Sequence, residues 1–535
     1  MLSNISQKKQ HAVKRIIVNH VEIPKKINKE LFKNGDIKSY GDHSVQNNKE
    51  MARQLSCEYL QDCSVHGIKY FGNLRFKNNI FGRLFWAVIM ISSFVFLSWM
   101  LQKFWIRYTT NPIRTVIKSF QTPIYMIPFP AITLCPLIPP LAATRKKLLQ
   151  KLRLPHNMDN ETAMFLLRYG PAFTNEHVPG GKAHINNLKA LLKINHMSMV
   201  DFLKLLRPCE DLFDYCSWEN ISRNCSDLFK ISYTFEGVCC SFNYHLEESV
   251  QSGRTWNDSE FLRTTSFGGR SGLQAVLHRD LLVVGDEAGK YIKYSTNSAG
   301  LVMYTHHPLE YIGHISTHQI IQAKQELRVA IIPTINHKLA NYYVKDSYGA
   351  KISQCVDKDI NLKYFPTYQY TNCFISCSID SAFKTCNCVP YYYTPMAKNY
   401  SLRICEWEDF QCLYTNKEKI RIIHNTATCE CRYPCKNVAY VTQATSIKLN
   451  GEHNFNVSPF YQNRTDAQAV LRVFMNYEVC AEMDTVPIAD ELYLLAAIGG
   501  IFSLFVGCSF ISAMEIFYFI GLFLHSYSNS NKKSK

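Results

Sequence analysis

Residues 492–524 read LYLLAAIGGIFSLFVGCSFISAMEIFYFIGLFL, an apolar run whose single formally charged side chain is Glu515. As one helix, rising about 1.5 Å per residue, it would reach about 50 Å, too long for a hydrocarbon core of about 30 Å. Part of the run must therefore project, tilt or unwind. Gly499, Gly500 and Gly507 are where irregular backbone is easiest. A plain membrane anchor needs no such glycines.

A second apolar run lies upstream. Leu84–Leu101, LFWAVIMISSFVFLSWML, contains no charged residue, and its 18 residues span about 27 Å of helix. Trp86, Trp99 and Trp105 sit near its edges, where aromatic belts form. Two spans place both termini on one side. The chain carries 59 Lys+Arg against 43 Asp+Glu, a net +16. Met1–Arg83 holds 15 Lys+Arg against 7 Asp+Glu, and His525–Lys535 adds three lysines and no acid. Most of the excess thus lies at the two membrane edges, which excludes a nucleic-acid reading and puts both ends in the cytosol. The mean hydropathy of −0.14 excludes a many-helix transporter.

The expected organisation is a cytosolic region 1–80, a transmembrane helix 81–103, an extracellular cysteine-rich domain 104–489, a second transmembrane helix 490–524 and a cytosolic tail 525–535. Sequons at Asn160, Asn220, Asn224, Asn257, Asn399, Asn456 and Asn463 all fall in the extracellular part. Of 20 cysteines, only Cys57, Cys63 and Cys508 lie outside it, an oxidising-compartment pattern. The densest group runs Cys355, Cys373, Cys377, Cys386, Cys388, Cys405, Cys412, Cys429, Cys431, Cys435. Zinc is disfavoured, because Cys386-x-Cys388 and Cys429-x-Cys431 are tighter than the usual chelate and no His pair accompanies them. Disulfides are expected, and counting leaves their connectivity open. Cys373 and Cys377 share a face if helical, so a returning segment with Cys429, Cys431 and Cys435 could meet them as nested rungs.

These features resemble the degenerin/epithelial sodium channel family, and more closely its insect pickpocket branch. Ser64-Val65-His66-Gly67 is similar to the family's His-Gly gating motif. Phe129-Pro130-Ala131-Ile132-Thr133-Leu134-Cys135 is similar to its post-span element, although Pro136 stands where Asn is frequent. Leu494–Gly500 and Gly507-Cys508-Ser509 with Glu515 resemble the pore helix and its G-x-S filter. The resemblance implies an α+β membrane protein, two transmembrane helices with a large disulfide-rich extracellular domain (a β palm with helical thumb and finger), assembled as a trimeric channel. It implies bridges Cys355–Cys435, Cys373–Cys431, Cys377–Cys429, Cys386–Cys412, Cys388–Cys405, Cys135–Cys239 and Cys216–Cys225. Cys209 and Cys240 are left as a candidate pair, with Cys480 unmatched.

The implied function is that of a cation-channel subunit, sodium-selective and amiloride-sensitive, gated by an extracellular stimulus. Its partners are permeant sodium ions, membrane lipid and related subunits in a homo- or hetero-trimer at the plasma membrane. Ala496, Gly500, Ser503 and Gly507 follow helical spacing, which suits either close helix packing or a pore lining. Gly507, Cys508 and Ser509 are the candidate filter, where carbonyl and hydroxyl oxygens replace part of a cation's hydration shell. Ala496, Gly499, Gly500, Ser503 and Glu515 are the candidate pore and gate. Glu515 reads as a cation-attracting carboxylate or as a helix contact near the cytosolic end. His66 and Gly67 read as a gating element or as a juxtamembrane turn. No HExxH, G-x-S-x-G or P-loop pattern occurs, so neither enzyme activity nor a cofactor or metal is expected. The alternative is an accessory subunit or cell-surface receptor that assembles without conducting.

In the extracellular part, Leu188–Leu206 reads as one helix, Ile231–Phe235 and Leu327–Ile332 as strands, and Pro390–Tyr393 as a loop.

Overall fold

The computed structural model describes residues 56, 58–60, 63–68, 70, 80–110, 113–174, 181–256, 258–278, 300–313, 316–339, 343–345, 351–353, 355–357, 360, 362–426, 428–449, 468–488 and 491–533. Cys57, Asn257, Asn456 and Asn463 lie outside these, as does most of the region 1–80. The chain divides into two compact units, residues 1–110 with 489–535, and residues 111–488.

The first unit contains α1 (Ile80–Thr110), α2 (Glu491–Val506) and α3 (Phe510–Lys533). Among the described residues, one helix, Ile80–Thr109, is long and apolar enough to cross a membrane. Leu492–Val506 and Phe510–His525 pass the same test only as a pair, bent by 71°. Helix α1 runs seven residues past the expected boundary at 103, and α3 continues to Lys533 through the expected tail. The α3 extension, HSYSNSNKK, is polar and escapes a hydropathy reading, whereas the α1 extension, FWIRYTT, opens with three large apolar residues.

Among the described residues, the second unit is built on two main sheets. Eight strands make the larger one: β1 (Ile113–Pro123), β15 (Val479–Pro487), β10 (Gln325–His337), β14 (Ala469–Met475), β7 (Leu273–Leu277), β3 (Phe213–Trp218) and β4 (Ile221–Arg223) in that order, with β13 (Lys436–Lys448) also on β10. The smaller orders β5 (Phe229–Thr234), β6 (Gly237–Phe242), β2 (Ala131–Pro136), β8 (Leu301–His306) and β9 (His318–Ile321). A short hairpin, β11 (Tyr343–Lys345) with β12 (Lys351–Ser353), stands apart. The expected strands at 231 and 327 are thus parts of β5 and β10.

Strand β10 carries a proline, which lacks the N–H a central strand needs. It is tolerated because of where it falls. One edge of β10 pairs with β14 over Glu326–Ile331 and with β15 over Thr334–His337, and Pro333 sits at the changeover. Strand β2 is buried at all six positions, since β6 and β8 flank it, which explains its unbroken apolar character. Pro136 ends the strand opposite Leu301 and leaves the pairing intact. Phe129, Ile132, Leu134 and Phe242 meet Leu273, Val329, Leu471 and Val473 in one core shared by both sheets.

Leu188–Leu206 is not one helix. Gly181–Ile194 and Met199–Leu205 are separate, with His196 at φ +52° between them and Ser198 capping the second. The capping box with Asp201 satisfies amides that a continuous helix would have used internally. Pro390 likewise precedes a 3₁₀ turn, Tyr391–Tyr393, and the helix Thr394–Asn399, rather than a loop.

Helix Tyr370–Cys386 presents Cys373 and Cys377 to Cys431 and Cys429, and Cys355–Cys435 closes the base. Cys386–Cys412 and Cys388–Cys405 staple the following helices. Cys135–Cys239, Cys209–Cys240 and Cys216–Cys225 tie the sheet region. Cys480 is free and buried against Ile127 and Ile335, and that burial pushes its thiol up to about 11. It acts there as a small apolar side chain. Asn160, Asn220, Asn224 and Asn399 are all exposed, and the Asn399 side-chain amide also donates to the Val250 carbonyl.

Candidate functional site

Helix α2 packs on α1 through one face. Ile501, Phe505 and Val506 meet Leu97 and Leu101, Phe96 stacks on Phe505 with centroids 6.4 Å apart, and Phe104 lies 6.2 Å from Tyr493. Ala496, Gly499, Gly500 and Ser503 are all exposed. A methyl group added at Gly499 or Gly500 would meet nothing within 4 Å. These small residues are therefore not packed against α1, and close packing within the chain does not account for them.

The backbone leaves the helix at Gly507, with φ +68°, a conformation that glycine adopts readily. Gly499 and Gly500, also expected as places for irregular backbone, stay helical. Gly507 accordingly drops off the helical face of Ala496, Gly500 and Ser503. Its amide still donates to Ser503 at 3.0 Å. Beyond the break, Ser509 starts α3: the Ser512 amide donates to Ser509 Oγ at 3.3 Å, and the Ser509 amide to Ser512 Oγ at 3.1 Å. This reciprocal pair satisfies helix-start amides as a capping box does.

The loop at 63–67 lies against the break. Cys63 and Val65 are buried with Leu97 and Val506. The His66 amide donates to the Val506 carbonyl at 3.0 Å. That carbonyl lies in the last turn of α2, where in-helix donors run out. The imidazole sits over Gly507, where a Cβ would come 1.5 Å from His66 Nδ1. Gly67 turns the chain at φ +85°, with Met90 Sδ only 2.7 Å from where its Cβ would be. Ser64 reaches further along α3. Its amide and hydroxyl both approach Glu515 Oε2, at 3.1 and 3.0 Å, and its Oγ lies 2.5 Å from Ser512 Oγ.

The structure thus brings His66, Gly67, Gly507, Cys508, Ser509 and Glu515 into one neighbourhood. Ala496, Gly499, Gly500 and Ser503 line a separate open face of α2. The free thiols of Cys63 and Cys508 belong to this neighbourhood too. Ser64 and Val506 were not legible as site residues. Their roles depend on a chain return that no local pattern encodes, although Ser512 is readable as lying one turn from Glu515.

Comparison with known proteins gives a family match, described as amiloride-sensitive sodium channel, over residues 59–519. The chain is 25% identical over 478 residues to Sodium channel protein Nach of Drosophila melanogaster, covering 88% of each. It is 24% identical over 510 residues to Pickpocket protein 28 of the same species, covering 86% of this chain and 77% of the relative. It is 25% identical over 350 residues to human Acid-sensing ion channel 2, covering 61% of this chain and 60% of that protein.

Proposed function

Because the chain belongs to the amiloride-sensitive sodium channel family as a cation-channel subunit, we propose that it forms a sodium-selective, amiloride-sensitive pore lined by α2 of three subunits. Both ends face the cytosol, and residues 111–488 form the extracellular domain. The observation that carries this reading is the interruption at Gly507 within an otherwise apolar helix pair. Non-helical backbone at membrane depth is tolerated where it lines a water-filled pathway. Three copies would bring their Gly507–Ser509 segments to a common axis, offering oxygens to a partly dehydrated cation.

The open face of α2 supports the same arrangement. Ala496, Gly499, Gly500 and Ser503 let neighbouring helices approach closely when shut and leave a narrow passage when they separate. The Val506 carbonyl is held by His66, so the loop at 63–67 orients the inner side of the filter. A change in that loop would alter open probability through this bond. Gating arises in the extracellular domain, whose disulfide-laddered helix resists internal deformation and moves as a lever.

The deciding experiment is expression in oocytes with and without related subunits, recording current and amiloride block. Amiloride-sensitive sodium current from the chain alone supports a homomer. Silence alone with new current on co-expression assigns a heteromeric subunit. Surface-expressed protein that leaves every partner's current unchanged overturns the conducting assignment.

A further inference from the structure

A second cluster lies where three strands of the large sheet meet. His337 ends β10 and stands opposite Asp484 of β15 in the parallel register. Glu482, two residues before Asp484, projects on the same face. One ligand atom from each of His337, Glu482 and Asp484 lies within 4.8 Å of the others. His337 Nε2 is 3.0 Å from Glu482 Oε1. This gives one imidazole nitrogen and two carboxylate oxygens converging from backbone that two strand ladders hold in place.

The charge balance is incomplete. Lys118 Nζ pairs with Glu482 Oε1 at 2.8 Å, and the Thr122 hydroxyl donates to Glu482 Oε2 at 3.2 Å. Asp484 takes only through-space attraction from Lys118, and its Oδ1 is sealed from solvent with no hydrogen-bond partner. An orphaned carboxylate oxygen is costly unless a proton or a cation meets it. Lys118 is aimed here by a register shift in β1, between Ile117 and Ser119, and its side chain is 54% exposed. It can therefore swing into water without leaving an unsatisfied buried group.

We propose that His337, Glu482 and Asp484 bind a divalent cation of the Zn²⁺ class, in exchange for Lys118. One nitrogen and two oxygen donors suit a borderline metal better than calcium or magnesium, which prefer all-oxygen shells. Water completes the coordination on the open side. The cation ties β10 to β15, whose last residue, Pro487, lies four residues before the start of α2 at Glu491.

The test is calorimetric titration of Zn²⁺ into the purified full-length chain at neutral pH. In the wild type one site should be lost, or weakened by about tenfold or more, on His337→Ala. Lys118→Met should strengthen the same site severalfold, because the competing charge is gone. That gain cannot come from misfolding, so it decides the matter even if His337→Ala folds poorly. Unchanged binding in His337→Ala overturns the ligand set, and unchanged or weaker binding in Lys118→Met overturns the exchange.

Discussion

The main-chain amide of His66 donates to the carbonyl of Val506 at 3.0 Å, so a loop before the first long helix is bonded to the residue just before the break in the helix pair. Gly507→Ala tests this seat. The new Cβ would fall 1.5 Å from His66 Nδ1 and would sit at φ +68°. The clash must expel the imidazole, and the backbone adds about 1 kcal/mol of strain. Gly507→Ala is expected to change open probability and sodium-to-potassium selectivity together. His66→Ala in the same chain removes the clash but not the strain, so it should restore the current only in part. Full current from Gly507→Ala alone, at equal surface expression, would show that this contact does not shape the pore.

Glu515 has two readings that can be separated at Ser64. Serine donates to one carboxylate oxygen twice, from its amide and its hydroxyl. Ser64→Ala removes the hydroxyl bond but leaves the charge in place. Glu515→Gln removes the charge and keeps an acceptor. If the carboxylate acts by attracting cations, Glu515→Gln lowers single-channel conductance and Ser64→Ala leaves it unchanged. If it acts as a fastener for the loop, both variants shift open probability and neither alters conductance. Single-channel recording at low ionic strength gives the clearest separation, since screening then hides least.

The parts of this fold legible in the sequence are those specified locally. The apolar runs, the strands around Ile231 and Leu327, and the break at Gly507 all follow from hydropathy, β-branched content or one glycine's freedom. Gly499 and Gly500 show the limit of that reasoning. Glycine permits irregular backbone without requiring it, and here the surrounding Ala, Ile and Leu keep the helix going. The division at His196 was hidden because a run rich in Leu, Lys and Met looks helical across a tight turn. The seat of His66 on Gly507 joins segments some 440 residues apart, and nothing in either segment's periodicity names the other.

Ala496 lies exposed on α2, on the face that α1 leaves uncovered. In the proposed trimer, when closed, only a small side chain would fit where three such faces meet. Ala496→Trp should therefore hold the helices apart and give constitutive, amiloride-sensitive current. A surface-expressed variant without standing current would move the gate elsewhere.

Ser509 caps α3 and is proposed to line the filter, and substitution tests both roles. It opens α3 by accepting from the Ser512 amide at 3.3 Å, and its own side chain is exposed at the break. Ser509→Ala loses the cap, worth about 1 kcal/mol, and the hydroxyl proposed for the filter. Ser509→Asp keeps a capping oxygen but adds a charge. Both are expected to change relative sodium and potassium permeability, measured as a shift in reversal potential. Unchanged permeability in both variants would remove Ser509 from the filter.

The nested bridges should be redundant in a particular way. Cys377–Cys429 and Cys373–Cys431 join residues four apart on a helix to residues two apart on the returning segment. Once either is closed, the other closes only a small additional ring and removes little further chain entropy. Replacing one rung by serines should lower the thermal midpoint slightly. Replacing both should cost about 2–4 kcal/mol, the usual range for a long-loop bridge. A single-rung variant as unstable as the double would show that packing around each sulfur, rather than loop closure, sets the effect.

Stability of the second unit should depend on pH through two buried groups that act in opposite directions. Burial pushes the Glu247 carboxyl up from 4.5 to about 8, although the Tyr233 amide donates to it at 2.7 Å. The folded chain then holds a proton that the unfolded chain releases, so this contribution falls as pH rises from about 4.5 through about 8. Burial pushes His306 down from 6.5 to about 4. The unfolded chain takes up that proton first, so the His306 contribution is present above about 6.5 and lost toward 4. The two slopes oppose each other between 4.5 and 6.5, and above 6.5 only Glu247 remains. The thermal midpoint, measured at a fixed scan rate, should therefore fall between pH 6.5 and 8, and Glu247→Gln should flatten that decline. A decline that persists unchanged in Glu247→Gln would assign it to another group.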